Sequence, residues 1–142
     1  MFLRLLISLI VFTSGIVLSD GATSLVTCTP NCLDDTPRER LKRSSAVFTG
    51  RVVKVAESDQ TQIVTFTVTK SWKGVRSIEL TLTNVKTPES AFFREGHNYL
   101  VFAFRTDGKL ISGACSAVEF EFAGHTIRSL NRLDAHARSP RH

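Results

Sequence analysis

Two ribbons of alternating apolar and polar side chains dominate the centre of the chain, SSAVFTGRVVKV at 44–55 and VTFTVTKSWKG at 64–74. In the first, Val47, Thr49, Arg51, Val53 and Val55 share one side, and Ala46, Phe48, Gly50, Val52 and Lys54 share the other. The alternation is loose, but β-branched residues prevail, which suits a strand buried on most of one face and part of the second. Gly50, in mid-strand, marks a bulge or sharp bend. A turn at 57–60, ESDQ, leads into the second strand, with Ile63, Thr65, Thr67 and Thr69 opposite Val64, Phe66, Val68 and Lys70. The third, SIELTLTN at 77–84, points Ile78, Leu80 and Leu82 inward and Glu79, Thr81 and Thr83 outward. A long polar connection, VKTPESAFFREG, carries Phe92 and Phe93. HNYLVFAFR is the fourth strand, and TDG at 106–108 is a hairpin turn with glycine where a positive φ is wanted. KLISGACSAVEFEF holds the fifth strand and its continuation.

Short helices flank the strands. In DDTPRERLKRSS, Thr36 caps, Pro37 fits the first helical position and Glu39 completes a capping box, predicting a helix over Pro37–Ser44. Leu41 is its apolar anchor, while Arg38, Arg40, Lys42 and Arg43 read as a solvated face. AGHTIRSLNRL ends the folded part as a second helix, with Ile127, Leu130 and Leu133 at helical spacing. Residues 134–142 have nothing to bury and are expected to form a disordered basic tail. The pattern predicts a mainly β protein, a five-stranded Greek-key OB-fold barrel with a short N-terminal helix and a C-terminal helix. Closure removes the exposed sheet edges that invite aggregation. A small β-sandwich is the alternative.

The start of the chain changes where this barrel is expected to work. Arg4 precedes an uncharged run from Leu5 to Ser19, followed by small residues at Ser19, Gly21 and Ala22. The run is shorter than the roughly 20 residues a membrane span needs. Residues 1–22 therefore read as a secretory signal peptide, leaving 23–133 as one domain. The expected location is secreted, extracellular or periplasmic. Membrane association is expected only if the leader stays uncleaved or Cys28 carries lipid, and Thr27 and Asp20 speak against a lipidation box. In an oxidising compartment two of the three cysteines, Cys28, Cys32 and Cys115, should be bridged, with the third left over or paired between molecules.

Charge and motifs add little chemistry. The net charge is +5 and the pI about 9.5, concentrated in TPRERLKRSS and IRSLNRLDAHARSPRH. For an exported barrel this means a solvated face or affinity for anionic surfaces, and no nucleic acid partner is expected. His97, His125, His136 and His142 are scattered, without the spacing of a metal site. Neither a nucleophile elbow nor a phosphate loop is present. Glu119 and Glu121 alternate on a strand and would share a face, where like charges lift one pKa or both simply meet water. Trp72 and Tyr99 read as barrel-end packing rather than a binding surface. Phe92 and Phe93 either plug the barrel or form a contact patch. No cofactor, metal or enzymatic activity is expected.

In order along the chain, CTPNC, AVFTGRVVKV, VTFTVTKSWKG, FFREGHNYLVFA and GACS resemble the N-terminal inhibitory domain of tissue inhibitors of metalloproteinases. They look most like the short secreted single-domain relatives of that domain. The resemblance runs from about Cys28 to Leu133 and implies an OB-type barrel. It also implies a bridge, Cys32–Cys115. In that family the mature chain begins with cysteine, whose free α-amino group and carbonyl chelate the protease zinc. Here a leader ending at 19–22 leaves residues ahead of Cys28, whose nitrogen is then an amide with no available lone pair. Three residues rather than one separate Cys28 from Cys32, and Glu89 and Ser90 stand where a second barrel cysteine is expected. The resemblance thus implies a secreted, non-enzymatic barrel that binds a protein, of the metalloprotease-inhibitor type, with a zinc metalloprotease as the sharpest case. Its contact edge would comprise Cys28, Thr29, Pro30, Asn31, Phe92 and Phe93. The alternative is an exported OB-fold module binding polyanion or oligosaccharide through its basic residues.

Overall fold

A computed structural model describes residues 35–139. Helix α1 (Pro37–Arg43) opens it, followed by β1 (Ala46–Glu57), β2 (Thr61–Lys73), β3 (Glu79–Val85), β4 (Asn98–Thr106), β5 (Lys109–Ser112) and β6 (Ala117–Glu119). A single 3-10 turn (Phe120–Phe122) leads into α2 (Gly124–Arg138). The leader, Cys28, Thr29, Pro30, Asn31, Cys32 and His142 lie outside the described residues.

The strands close on themselves. Their order is β1-β2-β3-β5-β4, and β4 returns to pair antiparallel with β1. All pairings are antiparallel except β3 with β5, which is parallel at Thr83↔Ile111 and Asn84↔Ser112. This is a closed, mixed five-stranded barrel of the OB type, as the sequence predicts, with β6 added outside along β4. β1 and β2 are the longest strands and bend to serve the closure. Their pairing shifts register at Val47/Phe48, Thr49/Gly50 and Val52/Lys54. Gly50 sits at one shift, where a Cβ would come within 2.8 Å of the Thr67 carbonyl oxygen; only glycine tolerates so close an approach. The β4–β5 hairpin turns through Asp107 (φ 49°) and Gly108 (φ 75°), the two positive angles a type I′ turn requires.

Two cores explain the loose alternation. Inside the barrel, Phe48, Val52, Val64, Phe66, Leu82, Val101 and their neighbours are buried. Phe48, Phe66, Phe93 and Tyr99 meet edge to face in a chain, with centroid separations of 5.4, 5.4 and 4.8 Å. Outside, α2 and α1 cover the β1–β4 pair, burying Val47, Leu100, Phe102, Ala123 and Leu130 against Leu41, Trp72, Val118 and Ile127. Strands covered on both faces need no polar side, hence the unbroken apolar run from Tyr99 to Ala103.

Three expectations need correction. Ile78 points nowhere near the core: it precedes β3 and is 78% exposed. Arg40 is not part of a solvated face. Its guanidinium lies 3.9 Å over the Phe102 ring and donates to the Cys115 carbonyl. The second helix does not stop at Leu133 but runs to Arg138. Asp134 and Arg138 form an i,i+4 ion pair at 3.0 Å, and the basic side chains of the last turn suit the helix dipole. Those five residues are therefore helix, not tail.

Candidate functional site

The site is built where two loops meet at one end of the barrel, residues 86–97 between β3 and β4 and residues 113–116 between β5 and β6. Ser90 and Ala114 form an isolated antiparallel bridge, and the Cys115 amide donates to the Glu89 carbonyl at 3.2 Å. Glu89 and Ser90, where the resemblance expects a cysteine, thus tie the loops through backbone instead. Cys115 has a positive φ of 59° and is disulfide-bonded. The chain's two other cysteines both lie outside the described residues. Through the Arg40 contact, α1 is joined to the same point, and burial pushes that guanidinium's pKa down.

A buried polar network fixes the long loop from below. Gln62, Asn84 and Ser112 are within 1% of full burial. Gln62 donates to the Phe93 carbonyl at 3.1 Å and accepts from the Phe93 amide at 3.2 Å. Asn84 donates to the Gln62 side chain at 3.1 Å and to the Ala91 carbonyl at 2.9 Å, and accepts from Ser112 at 2.9 Å. No buried side-chain nitrogen or oxygen among the described residues lacks a partner, so the network holds without stray polar cost. From above, the Tyr99 hydroxyl accepts from the Arg94 amide at 3.1 Å and donates to the Phe92 carbonyl at 3.3 Å.

This clamp separates two neighbours. Phe93 is 1% exposed and plugs the barrel, whereas Phe92, at 57% exposed, is left in solvent. Phe92 borders a hollow lined by Ala91, Arg94, Tyr99 and Glu119. Across it Arg94 pairs with Glu119 at 2.5 Å, and His97 Nδ1 lies 4.0 Å from the same carboxylate. The Arg94 hydrogen bond holds the Glu119 carboxyl below the usual carboxylate range, and Glu119 in turn raises the guanidinium. Arg94, rather than Glu121, decides this carboxyl. Glu119 ends β6 and Glu121 lies in the 3-10 turn, so the two do not alternate along one strand.

Of the sequence-predicted site residues, the structure places Phe92 and Cys115 on converging loops and Phe93 beneath them. Tyr99 is buried and positions the loop rather than facing a ligand. Trp72 packs at the barrel end against the outer core, its Nε1 donating to Asn131 at 3.1 Å. The Gln62–Asn84–Ser112 network was missed, although its signal is legible: Gln62 shares strand parity with Val64 and Phe66, and Asn84 with Leu82. Among the described residues no group of three histidine, cysteine or carboxylate side chains is placed to hold a metal, and no helix is long and apolar enough to cross a membrane. No family model matches the chain, and no curated protein matches it.

Proposed function

We propose that this chain is a secreted, non-enzymatic barrel that binds another protein, related in kind to the inhibitory domain of tissue inhibitors of metalloproteinases. Its contact edge is the segment Cys28 to Cys32 together with Phe92 and the loop that carries it, joined through a Cys32–Cys115 bridge. The observation that carries the reading is Phe92. A large aromatic side chain is held in solvent by a fully satisfied network beneath it, beside an ion pair and one loop away from a half-cystine. Aromatic anchors set in rigid surroundings are the usual source of interface affinity, and pre-organisation spares the cost of ordering a loop on binding.

Zinc chelation is a separable property in this reading. It needs a free amine at Cys28 and hence a mature chain that starts there. The secreted protein, its first residue established by N-terminal sequencing, is titrated against the catalytic domain of a zinc metalloprotease, with binding and proteolysis read in parallel. Binding that Phe92→Ala weakens on the order of tenfold is expected, with inhibition only when Cys28 is the first residue. Absence of binding, or an inert Phe92→Ala, contradicts the proposal.

A further inference from the structure

We propose that a cationic groove between α1 and the far end of β2 binds a linear sulfated polysaccharide. This is a second surface, on residues distinct from those of the Phe92 edge, and it stands whether or not that edge binds a protein.

The groove follows from unequal strand lengths. β3 pairs with β2 only as far as Glu79↔Thr67, so β2 runs on past the β3 partner. There Ser71 and Lys73 are paired only to β1, opposite Phe48 and Val47. The turn that follows, 74–77, is seated firmly. Gly74 has φ +70°, and a Cβ there would lie 2.0 Å from the Ser45 carbonyl oxygen. One hollow is lined by Arg38, Leu41, Lys42 and Leu133 together with Trp72 and Lys73. A second is lined by residues 71–77 and shares Trp72 and Lys73. The two hollows meet at Trp72 and Lys73, and Arg38, Lys42, Lys73 and Arg76 put four cations along them.

No carboxylate is among the described residues that line either hollow. On the far side of Lys42 a separate hollow carries Asp35 and Glu39, but Asp35 pairs with Arg43 and Glu39 with the Thr36 cap, and Asp134 pairs with Arg138. Lys73 Nζ donates to the Leu41 and Lys42 carbonyls, each at 3.0 Å, fixing its charge at the end of α1. Asn131 accepts from both Trp72 Nε1 at 3.1 Å and Lys70 Nζ at 2.6 Å, which sets the indole and holds Lys70 5.1 Å from the ring centroid. One held lysine among exposed cations, with an indole and a leucine beside them, suits a chain of sulfated sugars, whose charges repeat along its length and whose ring faces are apolar. Single-stranded nucleic acid fits less well, because it needs a series of stacking aromatics. The groove offers one indole, and the outer β2–β3 face presents Thr65, Thr67, Thr81 and Thr83 instead.

Trp72 is the only tryptophan in the chain, so its fluorescence reports on the groove alone. The full secreted chain is titrated with a size-defined heparin oligosaccharide, following Trp72 emission and, in parallel, binding heat. Saturable binding that shifts the emission and weakens as salt rises is expected. The triple variant Arg38→Ser, Lys42→Ser, Arg76→Ser should lose about tenfold or more in affinity, with a shallower salt dependence. Lys42→Glu alone, on an exposed position of α1, serves should the triple variant misfold. Arg51→Ser with Lys54→Ser, on β1, should change neither measurement. Binding heat without an emission shift, affinity equal in the groove and β1 variants, or equal affinity for desulfated heparin or single-stranded DNA would each overturn the proposal.

Discussion

A single side chain, Arg40, connects three parts of this molecule that the sequence keeps apart. It sits on α1, covers the Phe102 ring of β4 and donates to the carbonyl of Cys115. Leucine at this position retains bulk but loses both polar interactions and leaves that carbonyl short of a donor. Arg40→Leu is expected to cost about 1–3 kcal/mol in urea unfolding; a cost below about 0.5 kcal/mol would mean that α1 is held by Leu41 and the Lys73 hydrogen bonds without Arg40. The sequence could not single out this arginine among Arg38, Arg40, Lys42 and Arg43, because which face of so short a helix meets the barrel depends on a strand sixty residues later. Gly74 makes the complementary point. Its positive φ and the Ser45 carbonyl exclude any side chain, so Gly74→Ala should destabilise by about 1–3 kcal/mol or more, whereas alanine for glycine in regular structure stabilises. A shift in the urea midpoint smaller than that of the conformationally ordinary Gly113→Ala, which has open space around its Cβ, contradicts this.

At the level of elements, the loop 86–97 is held by strands on every side, and part of that hold titrates. The carboxyls of Glu57 and Glu119 are both lowered, Glu57 by Lys86 and then Gln62, and Glu119 by Arg94. A carboxyl lowered in the folded state contributes stability that is complete above its unfolded pKa and disappears as pH falls through the folded value. Stability should therefore hold flat through neutral pH and fall below about pH 4.3, the ordinary glutamate value. Arg94→Met should flatten part of that fall, as read by urea midpoints between pH 7 and pH 3. An acid profile unchanged by Arg94→Met would show that the Arg94–Glu119 pair does not hold the loop to β6. The strands themselves were legible, because alternation and the turn residues at 57–60 and 106–108 are local signals. The exceptions have long-range causes. Ile78 has inward parity but lies just before β3, where its carbonyl accepts from the Val68 amide while its side chain stays exposed. Val47 and Leu100 have outward parity yet are buried, because α2 arrives from the far end of the chain to cover them.

For the whole molecule, the closed barrel and its two helices follow from the pattern of strands, but the way the chain's beginning is joined to the barrel does not. Three cysteines allow three pairings, and position alone does not choose among them. The disulfide at Cys115 narrows the choice to Cys28 or Cys32, and the proposed function requires Cys32. A loop of that span contributes about 4 kcal/mol in the chain-entropy account, so Cys115→Ser should lower stability by a comparable amount. It should also release the contact edge from the barrel, weakening protein binding more than it weakens heparin binding at the Trp72 groove. The most direct measurement is a peptide map of the full chain expressed in a host that can export it, alkylated without reduction and read together with the mass of its first peptide. A Cys32–Cys115 linked pair, with a mature start at 19–23 and an alkylated Cys28, is expected. A Cys28–Cys115 pair, or a Cys115 that alkylates before reduction, contradicts the proposed edge.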